Sequence, residues 1–132
     1  MSTSIGIKFK DLLLAESGVT DIIEDRIYPV SFPAKATFPL MVYREVAGAH
    51  DLRTAPKDAT VEMTTRLQFD FWSYEYDETR DMKSVLVSFF DGYQNPSQGI
   101  LTTKIDLAFD QQEPETTLLR LVINISTTHE GP

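Results

Sequence analysis

The stretch Val61-Glu62-Met63-Thr64-Thr65-Arg66-Leu67-Gln68-Phe69-Asp70-Phe71-Trp72 decides the fold. Val61, Met63, Thr65, Leu67, Phe69 and Phe71 fall on one side of an extended chain. Glu62, Thr64, Arg66, Gln68 and Asp70 fall on the other, and Trp72 joins them at the end. Successive strand side chains point to opposite faces, so this alternation predicts a half-buried antiparallel strand. Its apolar face needs a cover, and the flanking segments have the periodicity to supply one.

Downstream, Met82, Val85, Leu86, Phe89 and Phe90 recur at steps of three and four, which predicts an amphipathic helix. Asp77, Glu78 and Asp81 crowd its first turns, where the helix dipole favours negative charge, and Gly92 ends it. Upstream, Ile5, Phe9, Leu12 and Leu13 predict a first helix. Ser4 is placed to cap its start and Gly18 to end it in the left-handed region. Thr20 then offers the cap of a short second turn carrying Ile22 and Ile23, which must stop before Pro29.

The remaining alternating runs complete a sheet. A brief strand is expected at Ile27-Tyr28 and another from Leu40 to Val46. In a later strand, Leu101, Ile105, Leu107 and Phe109 are expected on one face, against Thr102, Lys104 and Asp106. In the last, Leu119, Leu121, Ile123 and Ile125 alternate with Arg120, Val122 and Asn124. Gln111 to Thr116 reads as the turn between them, and Thr127 to Pro132 as a fraying tail. The expected fold is one α+β domain over residues 1–132, with an antiparallel sheet of four to five strands, two helices packed on one face and a long projecting loop between two strands. The inner face is assigned to Met63, Leu67, Phe69, Phe71, Ile105, Leu107, Ile123 and Ile125, opposite Leu12, Leu13, Val85, Leu86 and Phe89.

Chemistry is sparse in this chain. It has no cysteine, which excludes disulfides, thiol catalysis and cysteine-ligated metals. No Gly-rich phosphate loop, nucleophile elbow or zinc-protease motif is present. The two histidines, His50 and His129, are read as solvated, one in a polar arm and one in the tail. Carboxylate clusters at Asp21/Glu24/Asp25, Glu75/Asp77/Glu78/Asp81 and Asp106/Asp110/Glu113/Glu115 lack calcium-loop spacing, so no metal site is assigned. With 12 basic and 20 acidic residues the net charge is −8, which disfavours nucleic-acid binding as the main task. No catalytic residue and no cofactor are expected. No run approaches the ~18 apolar residues of a membrane span, so no membrane partner is expected.

Two features point instead to assembly. Residues 47–59 form a polar excursion between two strands, too long for an ordinary turn. His50, Asp51, Leu52, Arg53, Thr54, Pro56 and Lys57 are its candidate interface residues. Trp72 and Tyr74, at the outer end of the deciding strand, are candidate interface aromatics, since Trp and Tyr are enriched at contacts.

The order of blocks is distinctive. After the first helix come Asp25-Arg26-Ile27-Tyr28-Pro29 and then Phe38-Pro39-Leu40-Met41-Val42-Tyr43. A loop follows, then Arg66-Leu67-Gln68-Phe69-Asp70-Phe71-Trp72-Ser73, then a helix. From Leu12 to Tyr93 this resembles the tail-completion, or tail-terminator, proteins of long-tailed bacteriophages. The resemblance implies a virion subunit, assembled in the host cytoplasm, that forms a ring, usually six-fold, on the head-proximal end of the tail tube. Such a ring stops tube polymerisation and joins the head connector, and DNA passes through its lumen without specific binding. The implied partners are further copies of the chain, the tail tube protein and the connector or neck protein. Another neck or minor tail protein of similar fold is the alternative, and a small ligand-binding domain a more distant one.

Overall fold

The computed structural model describes residues 4–46, 62–112 and 117–130. The arm at 47–59, with His50, Asp51, Leu52, Arg53, Thr54, Pro56 and Lys57, lies outside the described residues.

The deciding stretch forms β3 (Glu62–Ser73) in a five-stranded sheet. Its neighbours are β2 (Leu40–Val46) on one side and β5 (Leu119–Glu130) on the other, both antiparallel to it. β4 (Ile100–Gln112) pairs antiparallel with β5, and β1 (Ile27–Pro29) lies beyond β2, giving the order β1-β2-β3-β5-β4. β1 runs parallel to β2, so the sheet is mixed where a wholly antiparallel one was expected. Pro29 ends β1 after three residues, and residues 30–39 return the chain to start β2 in the same direction.

Three helices cover one face: α1 (Ile5–Leu14), α2 (Ser17–Ile23) and α3 (Tyr76–Phe90), one more than expected. The Ser4 side chain accepts the Ile7 N–H at 3.3 Å, as its position predicts. Ser4→Ala is therefore expected to cost about 1 kcal/mol, read as a lower midpoint of chemical denaturation. Gly18 is not a left-handed cap, because α1 ends earlier and Gly18 lies inside α2. A Cβ there would stand 3.2 Å from a methyl of Val85, so the glycine lets α2 approach α3. Thr20 is also helical, and its hydroxyl donates back to the Glu16 carbonyl at 3.3 Å instead of capping.

Between the layers lies an apolar core. Phe69 packs on Phe90 at 5.0 Å between ring centroids and on Tyr43 at 6.4 Å, and Phe9 meets Phe90 at 5.9 Å. Leu67, Phe71, Leu121, Ile123 and Ile125 extend this floor, and Leu13, Met82 and Leu86 close it from above. Leu12, Val85 and Phe89 sit half-buried at its margin, and Met63 is half-buried near one end of the sheet.

The expected facing of β4 fails beyond Ile105. Ile105 pairs with Ile125 and Leu107 with Asn124, so Asp106 is an extra residue in the ladder. The bulge shifts the phase by one. Ile105 and Ala108 pack on the core, whereas Leu107 and Phe109 emerge on the opposite face.

The C-terminal segment does not fray at Thr127. β5 continues to Glu130 because β3 and β4 flank it to the end. Thr127 and His129 are buried, and His129 Nε2 lies 2.8 Å from the Thr65 hydroxyl. β4 likewise continues through Gln111 and Gln112, which a turn was expected to occupy.

Candidate assembly surface

Helices cover one face of the sheet, and the other face is the candidate surface. Even-numbered residues of β2, β3 and β5 point there, together with Leu107 and Phe109 after the β4 bulge. Residues 30–39 cross one end of this face through a set of edge-to-face rings. Phe32 meets Trp72 at 5.6 Å and Phe38 at 5.6 Å, and Phe38 meets Tyr74 at 5.3 Å. Such pairs are worth about 0.5–1.5 kcal/mol each beyond their buried area.

The two expected aromatics thus share one cluster but differ in access. Trp72 is half-buried beneath Phe32, while Tyr74 is exposed at its edge. Trp72 therefore packs under the 30–39 segment while keeping part of its surface accessible. Its Nε1 is buried without a hydrogen-bond acceptor among the described residues. The Arg120 guanidinium stands 5.1 Å from its ring centroid, within cation–π range.

Arg120 Nη2 also donates to Asp70 Oδ2 at 2.8 Å, and Gln68 Nε2 donates to Asp70 Oδ1 at 2.9 Å. Asp70 is thus a buried carboxylate held by a cation and an amide. Period-two alternation places Asp70 on the outer face but does not reveal that it is buried there. Arg120 was legible only as an alternating polar residue of the last strand. Their pairing depends on the β3–β5 register, which puts Asp70 opposite Val122 and Arg120 opposite Trp72.

Beside this network an open groove of about 320 Å³ is lined by Val30, Phe32, Val42, Arg44, Trp72 and Arg120, among others. Val30 stands at its rim with φ +68° and 69% of its surface exposed. A β-branched residue in the left-handed region is strained, and such strain persists where surrounding contacts impose it. Here the Val30 N–H donates to the Tyr43 carbonyl at 2.9 Å, which holds the turn out of β1. Leu107 and Phe109 add exposed apolar area at the far side of the same face, 47% and 37% accessible.

Outside this face the chemistry is thin. Among the described residues, no three His, Asp or Glu side chains converge as metal ligands would. His129 is held by Thr65 and by the Glu130 carbonyl, 3.0 Å from its Nδ1, so its ring is built into the sheet. Among the described residues, no helix is long and apolar enough to cross a membrane.

No protein-family model matches the chain, and no curated protein matches it. A chain in the solved virion of a native gene transfer agent (GTA) particle shares the fold. The two superpose with a TM-score of 0.66 over 92% of this chain and 92% of that one. They are 10% identical in sequence, so what they share is the backbone arrangement.

Proposed function

We propose that this chain is a structural subunit of a phage-like virion. Within it, the chain forms a ring, of six copies, on the head-proximal end of the tail tube. The ring ends tube polymerisation and joins the tail to the head connector, with DNA passing through without specific binding. The observation that carries the virion role is the shared fold with a gene transfer agent virion chain over 92% of both lengths. The position within the tail rests on the blocks 25–29, 38–43 and 66–73 and their resemblance to tail-terminator proteins. An assembly role also suits a sheet face that, among the described residues, has no helical cover and exposes Val30, Leu107 and Phe109. The chain works by shape, and no residue is assigned a catalytic task.

Gold-labelled chain incubated with tail tubes tests this directly. Label confined to one tube end in electron micrographs, with ring-shaped particles in the free protein, is the expected outcome. A chain that stays monomeric in light scattering and never binds tube ends overturns the reading. Label at another position on the tail would assign it to a different minor tail or neck role.

A further inference from the structure

Charge is unevenly distributed between the two faces of this acidic chain. On the helix-free face, Arg66 of β3 lies opposite Ser126 of β5, which lies opposite Lys104 of β4. Arg44 of β2 is close to this row, opposite Gln68. All three cationic side chains are exposed. Among the described residues neither Arg44 nor Arg66 has an ion pair, and Lys104 reaches Asp106 only at 3.9 Å. The exposed Leu107 and Phe109 flank the row on the same face.

The helix layer is acidic, whereas on the helix-free face Asp70, Asp106 and Glu130 offset most of the charge of Arg44, Arg66, Lys104 and Arg120. Ile27 pairs with Met41 and Met41 with Phe71, so the end of α2 and the start of α3 lie at one end of the sheet. Asp21, Glu24, Asp25, Glu75, Asp77 and Asp81 are all exposed there. The cations beside them, Arg26 and Arg80, pair with Glu24 and Asp77, and among the described residues the others have no ion pair.

We propose that the helix-free face is a docking surface for a second copy of this chain, which presents its acidic α2–α3 end to the Arg44/Arg66/Lys104 row. The inference rests on the ring reading and names the surfaces that meet. Contact between two different patches is heterologous, and it closes into a ring when the rotation per copy is right. Three paired strands of twelve to thirteen residues present a face on the order of 600 Å². That is the same order as the ~800 Å² each partner contributes to a standard interface. Apolar side chains beside exposed arginines also match the composition of protein interfaces. A nucleic-acid backbone fits less well, because the exposed Leu107 and Phe109 beside the row would meet phosphates.

The test uses the full chain in sedimentation velocity over a concentration series. One variant carries Arg44→Glu, Arg66→Glu and Lys104→Glu. The other carries Asp21→Lys, Asp25→Lys and Asp81→Lys. Thermal melting establishes that each is folded. Each variant alone is expected to need at least about tenfold more protein to assemble than the unmodified chain, and their equimolar mixture to assemble again. Raising the salt from about 50 to 500 mM is expected to weaken assembly of the unmodified chain, and this measurement stands even where a variant misfolds. Unmodified chain that assembles, with a sheet-face variant that assembles equally well or no response to salt, overturns this inference alone. Folded variants that fail to recover on mixing overturn it too. Loss of double-stranded DNA binding in the sheet-face variant, with assembly unchanged, would replace it with a nucleic-acid surface. An unmodified chain that is monomeric at every concentration and never binds tube ends overturns the ring reading and this inference together; one that is monomeric at every concentration yet binds tube ends overturns this inference alone.

Discussion

Phe69→Ala is expected to lower the stability of the folded chain by about 3–5 kcal/mol, the range for removing a large aromatic from a close-packed core. Phe69 is 1% exposed and sits where three elements converge. Its ring touches Tyr43 from β2 and Phe90 from α3, and its backbone pairs with Ile123 of β5. Surrounding strands fix the floor of the core and cannot move in to fill the void, so the cavity adds to the lost transfer energy. Chemical denaturation with an unchanged slope and a much lower midpoint is the expected reading. A shift of less than about 1 kcal/mol would show that α3 does not rest on this strand.

The second large effect is expected at Arg120. Replacing it with leucine strands the Asp70 carboxylate, which is 6% exposed and keeps only the Gln68 amide as a partner among the groups described above. The Arg120 side chain is itself 24% exposed, so stranding the carboxylate is expected to cost about 1–3 kcal/mol, the penalty for a buried polar group that loses its partner. The Trp72 ring also loses its cation–π neighbour. Adding Asp70→Asn to Arg120→Leu is expected to restore part of the loss, since the stranded charge is then gone. A double variant as unstable as the sum of the two single variants would show that the pair is not coupled.

Legibility in the chain followed the range of the interactions involved. β3 and α3 were readable because their patterns are local: twelve alternating residues in one case, a three-four stripe in the other. Ser4 was readable for the same reason, since a cap acts across three residues. Gly18 was misread because its role is contact with Val85, sixty-seven positions away, and nothing in its neighbours announces that. His129 was misread as solvated because Thr127, Thr128 and Glu130 look like a polar tail, yet strands on both sides bury the segment. The candidate surface was half visible. Trp72 and Tyr74 were singled out, whereas Phe32, Phe38 and Arg120, which determine their access, come from distant segments.

The amino-acid sequence by itself determined an acidic α+β domain with its main helices, its strands and most of its core, because periodicity and capping act between near neighbours. Only the tertiary structure decided that β1 runs parallel, that the Asp106 bulge turns Leu107 and Phe109 outward, and that Arg66 and Lys104 share a row with Arg44 close by on the face opposite the helices. Those outcomes depend on register between strands distant in the chain, and shifting a strand by one residue moves its side chains to the other face.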